Sequence, residues 1–103
     1  MKLIKMLEDM IEEELEGAEH YAKEAVKLKE DQPELAKTFY EISTEEMRHV
    51  NMLHERVAAI IEGYRKEHGA PPAAMLAVYE YLHEKHIEHA NKIKLYQNQY
   101  RGN

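Results

Sequence analysis

Glu45-Glu46-Met47-Arg48-His49 sits inside a long helical run that extends from about Pro33 to about Lys66. Apolar residues recur along that run at three- and four-residue steps: Leu35, Phe39 and Ile42, then Leu53, Val57, Ile60 and Tyr64. This is the stripe of a helix that faces a core. Carrying the rhythm from Ile42 to Leu53 lands on Glu46 and His49, where apolar side chains are due. An acid and an imidazole three residues apart share one helix face. Burying a carboxylate without a partner costs several kcal/mol, against a total stability of roughly 5–15 kcal/mol for a small domain. Glu46 therefore needs a partner. Taken alone, a buried hydrogen bond or ion pair serves as well as a metal ion, because single E-x-x-H matches are common.

Composition bounds the answer. A chain of 103 residues is one domain with a core of modest size. High charge content (33%) with four glycines and three prolines suits a helical bundle. The net charge of −6 argues against a nucleic-acid surface and favours attraction of cations. Cysteine is absent, which excludes disulfides, thiolate catalysis, iron–sulfur clusters and cysteine zinc sites. Met1-Lys2-Leu3-Ile4-Lys5 has no apolar signal core, and no run is long enough to span a membrane. The expectation is a soluble cytoplasmic protein.

The first helix is expected over about residues 3–29, with the stripe Leu7, Ile11, Glu14, Ala18, Tyr21, Ala25 and Leu28. Again one member is an acid: Glu14 falls at a core position. Glu12, Glu13, Glu16, Glu19 and Lys23 lie off the stripe and are expected on the solvated face. Asp31-Gln32-Pro33-Glu34 reads as a turn and a new helix start, with proline near the first helical position.

So short a connection makes the two helices antiparallel neighbours, with facing residue numbers adding to about 60. Leu7 then faces Leu53, Ile11 faces His49, Glu14 faces Glu46, Ala18 faces Ile42 and Tyr21 faces Phe39. Both misplaced carboxylates fall at one level, beside the histidine. Two anions in one buried layer repel unless a cation lies between them. Carboxylates and an imidazole without sulfur suit iron or manganese, with zinc or cobalt able to substitute. Di-iron carboxylate bundles take a Glu from each of two helices and a Glu-x-x-His from each of two others. This hairpin carries half of that set, so the sequence predicts a homodimer, which would also cover the stripe that a lone hairpin exposes.

Glu13-Glu14-Leu15-Glu16-Gly17-Ala18-Glu19-His20-Tyr21 and Glu45-Glu46-Met47-Arg48-His49 resemble the ferritin-like superfamily, and most of all the encapsulated ferritins, over about residues 7–57. In that family half-bundle subunits dimerise to build a ferroxidase centre. The resemblance implies that Glu14, Glu46 and His49 are iron ligands, that Tyr21 stands beside the site and orients a carboxylate, and that Glu13 and Glu16 belong to a metal entry path. A solvated acidic face accounts equally well for Glu13 and Glu16. The resemblance also implies iron(II) as substrate and dioxygen or peroxide as oxidant, with storage as the family's purpose. Rubrerythrins share the first-helix Glu with Tyr seven residues later, but their rubredoxin cysteines have no counterpart here. The tail Leu95-Tyr96-Gln97-Asn98-Gln99-Tyr100-Arg101-Gly102-Asn103 shows no apolar peptide of the kind that docks cargo into an encapsulin shell, so packaging in a nanocompartment is left open.

After His68-Gly69-Ala70-Pro71-Pro72 a third helix is expected over about residues 72–100. Its apolar face comprises Met75, Tyr79, Leu82, Ala90, Ile93 and Tyr96, with Val78 and Ile87 at the margins and His86 near the centre. His83, His86 and His89 fan over too wide an arc to bind one ion together. Each is free to pair with a residue of another helix, and hydrogen-bonded interface histidines are the ordinary case. Glu80-Tyr81-Leu82-His83 is a second Glu-x-x-His, but Glu80 sits at the polar edge. His54 is expected to be a partly buried interface residue.

The fold class expected is all-α: a ferritin-like antiparallel hairpin plus a third helix, completed to a four-helix bundle by a second copy around two metal ions. The function expected is oxidation of iron(II), with a non-catalytic metal-binding or assembly module as the alternative. A metal-free interaction protein requires Glu14 and Glu46 to share a proton.

Overall fold

Three helices make up the computed structural model, which describes residues 2–102: α1 (Lys2–Leu28), α2 (Pro33–His68) and α3 (Ala73–Arg101), with no strand among the described residues. The boundaries differ from those expected by one or two residues. Pro33 opens α2 after Gln32, whose own N–H reaches the Leu28 carbonyl at 2.8 Å and ties the two helices together. At the other end Gly69, at φ 80°, donates its N–H to the Arg65 carbonyl at 3.0 Å, which lets α2 run on to His68. Gly102 closes α3 in the left-handed conformation.

The first two helices pack antiparallel in the register a short turn imposes. The Tyr21 ring meets Phe39 with centroids 5.4 Å apart, and the Ser43 hydroxyl donates to the Ala18 carbonyl at 2.7 Å. The buried residues of these two helices are smaller than the apolar stripes suggest. On α1 they are Leu7, Glu8, Ile11, Leu15, Ala18, Ala22 and Ala25; on α2 they are Ala36, Ser43, Val50 and Val57, spaced by sevens. Alanine and serine at the contact let two helix axes approach closely.

This corrects the expected core. Leu15 and Ala22 are fully buried, whereas Glu14 and Tyr21, expected on the stripe, are only half-buried and Leu35 is exposed. The cause is α3. Its Ile93 is buried in the same cluster as Ile11, Leu15 and Val57, and Gln97 donates through Nε2 to Ser43 Oγ at 3.0 Å. Residues 8, 12, 15, 19 and 22 share one face of α1, and α3 lies along it. Glu14 and Tyr21 point to the opposite side. The molecule is a rod of 56 × 19 × 17 Å, with the side of the hairpin away from α3 left open.

Candidate metal centre

On that open side the hairpin brings Glu14 from α1 together with Glu46 and His49 from α2. His49 Nδ1 stands 3.4 Å from Glu14 Oε2. The Glu46 carboxylate lies across α1 directly over Gly17, so close that a Cβ built there would fall 2.9 Å from the carboxyl carbon. A mid-helix glycine costs roughly 0.5–1 kcal/mol relative to alanine, and here it makes room for a charged side chain. Burial pushes the Glu46 carboxyl above the ordinary carboxylate range; the charge of Glu14 pushes the same way, partly offset by His49 and His20. These are the marks of an anion set beside another anion in a half-desolvated place.

The three side chains line a shallow recess of about 440 Å³ between the helices, shared with Ile42 and Thr38. Glu45 is on its rim, but both its oxygens accept from Arg48 Nη2, at 2.6 and 2.7 Å. An adjoining recess of about 300 Å³ is lined by Met10, Glu13, Glu14, His49, Met52 and Leu53. Glu13 thus lies next to the cluster, while Glu16 is simply exposed. Tyr21 is about 10 Å further along the α1 axis than Glu14, at 1.5 Å per residue, and its ring packs on Phe39 and His20. Among the described residues of one chain, no three His, Asp or Glu side chains converge closely enough to hold an ion.

The third-helix histidines lie on the other side of α1, and each meets a residue of another helix. His83 stacks on His54 with centroids 4.6 Å apart. His86 Nδ1 is 3.2 Å from Glu8 Oε2, and His89 Nε2 is 2.7 Å from Glu19 Oε1. Glu19 and Lys23, expected on the solvated face, are instead partly covered by α3. Lys23 at 2.9 Å and then His89 hold the Glu19 carboxyl below its usual value, against the effect of burial. Glu80 is exposed on α3, away from Glu14 and Glu46. The second Glu-x-x-His does not join the cluster.

Three features escaped the sequence reading: the seat that Gly17 makes for Glu46, the burial of Glu8, and the Gln97–Ser43–Ala18 chain of hydrogen bonds. A signal was present for the first two. A lone glycine within a helical pattern marks close packing, and Glu8 stands on the four–three spacing of Ile11, Leu15, Ala18 and Ala22.

No protein-family model matches the chain, and comparison with curated proteins and with solved structures finds no match.

Proposed function

We propose that two copies of this chain pack their open hairpin faces together and build a di-metal carboxylate centre that oxidises iron(II), in the manner of the ferritin-like superfamily. The observation that carries this reading is the meeting of Glu14, Glu46 and His49 on the one face of the hairpin that α3 leaves uncovered. Two such faces supply four carboxylates and two imidazoles, the full donor set of a di-iron carboxylate bundle.

The donors fit. Oxygen and imidazole ligands without sulfur suit iron, and equally manganese, zinc or cobalt. Burial and the charge of Glu14 both raise the Glu46 carboxyl, and a divalent cation between the two carboxylates would counter both effects. The surrounding face offers Leu3, Met6, Met10, Leu35 and Met52 as exposed large apolar side chains, which a second copy would bury. Four carboxylates would favour the higher charge of iron(III), so a pair of iron(II) ions held there would supply two electrons, enough to reduce one dioxygen to peroxide or, with two protons, one hydrogen peroxide to two waters. Gly17 seats Glu46, His49 completes each half-set, and Glu13 and Glu16 add negative charge on the way in.

Anaerobic loading with iron(II) followed by air tests the reading. One ion per chain, with a ferric absorption band that grows on admitting air, supports it. Uptake without oxidation would leave a metal-binding assembly module, and no uptake would remove the centre altogether.

A further inference from the structure

Two tyrosine rings from distant parts of the chain meet where α2 begins and α3 ends. Tyr40 and Tyr100 stack with centroids 4.7 Å apart and planes 19° from parallel. Both residues are half-buried, which keeps a large partner off the rings while an electron and a proton can still leave. The pair is held in place from both sides. Arg101 donates through Nη1 to the Tyr40 hydroxyl oxygen, lies over the Tyr40 ring, and donates through Nη2 to Asn98. The Lys29 ammonium stands 5.8 Å from the centre of the Tyr100 ring. The remaining tyrosines lie beside phenylalanine, histidine or lysine side chains, and among the described residues no other two tyrosines stack.

A phenol that loses one electron and its hydroxyl proton becomes a phenoxyl radical, with much of its spin on the ring carbons ortho to oxygen. The orbital that carries this spin stands perpendicular to the ring, so two such radicals couple through their faces. Stacked rings present those faces to each other. We propose that Tyr40 and Tyr100 form a site of oxidative coupling, at which a one-electron oxidant joins α2 to α3 by a bond between two ortho carbons. Two electrons pass to the oxidant and the two hydroxyl protons pass to water. The carbon–carbon bond forms, and the hydrogens on the bonded carbons then move, through water, to the two oxygens and restore both phenols. The product is a covalent staple, two hydrogen atoms lighter than the parent, that closes a long loop of chain. Glu14, Glu46 and His49 take no part, so the proposal stands apart from the metal centre.

The full chain, dilute and in chelator, irradiated with tris(bipyridyl)ruthenium(II) and persulfate, tests this. The photogenerated ruthenium(III) and the sulfate radical take one electron each, and each persulfate ends as two sulfates. A monomer lighter by two hydrogens is expected, with the blue fluorescence of coupled phenols and with the tryptic peptide Thr38–Arg48 joined to Leu95–Arg101. Tyr40→Phe and Tyr100→Phe each keep a ring in the stack, and each should lose the product. Tyr96→Phe should keep it, which places the bond on Tyr100. Unfolding in urea should lower the yield of coupled monomer by about tenfold or more, because proximity no longer holds the pair. The proposal is overturned by the absence of the lighter monomer, by coupling at another pair of tyrosines, by a product that survives Tyr40→Phe, or by an equal yield in urea. None of these outcomes bears on metal uptake at Glu46.

Discussion

The carboxylate of Glu46 fills the space that a side chain at Gly17 would need. Glycine at a mid-helix position is therefore a concession of α1 to a residue of α2. Gly17→Ala should separate stability from function. The added methyl meets the far end of a flexible side chain, which can swing out toward the open face. The helix gains roughly 0.5–1 kcal/mol of propensity, so the metal-free protein should melt at the same temperature or higher. Metal affinity should fall by about ten- to a hundredfold, the usual loss when a ligand's support is disturbed. A fall in both, or in neither, would mean that Gly17 does not seat a ligand.

Glu46→Gln tests the repulsion itself. A carboxyl whose folded-state value is raised disfavours folding once the pH exceeds the ordinary value of 4.5, increasingly so until it is fully ionised. Removing the charge should therefore raise the melting temperature of the metal-free protein at pH 7.5 and flatten the decline in stability above pH 4.5. Thermal melts of both proteins in chelator, from pH 4.5 to 8, give the comparison.

The helix α3 interface carries the opposite pH dependence. Burial lowers His54 first of all, with His83 adding to the effect, and burial likewise lowers His86. A histidine lowered on folding contributes stability above its unfolded value of 6.5 that is lost as the pH falls through its folded value. Acidification below 6.5 should loosen α3 from the hairpin before α1 and α2 separate. Hydrogen exchange at pH 7.5 and 5.5 should show protection lost first along Ala73–Arg101; uniform loss over all three helices would speak against it.

How much of this was legible beforehand differs by residue. Glu14, Glu46 and His49 could be placed at one level because helix period and turn length together determine which residues face each other. The Tyr21–Phe39 contact follows from the same register. The depth of each residue did not follow, because the stripe of α1 is broad: Glu14 and Leu15, or Tyr21 and Ala22, are adjacent positions, and only the docking of α3 decides which member of each pair is covered. That docking uses Ile93 together with polar groups, Gln97 on Ser43, His86 near Glu8 and His89 on Glu19. Hydrophobic periodicity does not register such contacts.

The Gln97–Ser43–Ala18 chain makes its own demand. Ser43→Ala leaves the Gln97 amide without its acceptor and should cost about 1–3 kcal/mol, the penalty for a buried group left unpaired. Gln97→Met, similar in volume and without the amide, leaves the 2.7 Å Ser43–Ala18 bond in place and should cost less. Urea titration of the two variants ranks them, and the reverse order would show that Gln97, not Ser43, carries the link.

Sedimentation equilibrium combined with metal analysis tests the shared centre most directly. The parent, loaded with iron(II) under anaerobic conditions, should run as a dimer with two ions. Glu46→Ala removes a carboxylate from both halves and should abolish binding altogether, not halve it. Glu80→Ala combined with His83→Ala should leave binding nearly intact, since Glu80 is exposed on α3 and His83 stacks on His54. A metal-loaded monomer, or a parent that keeps its ions while Glu46→Ala loses only one of the two, would contradict the shared centre.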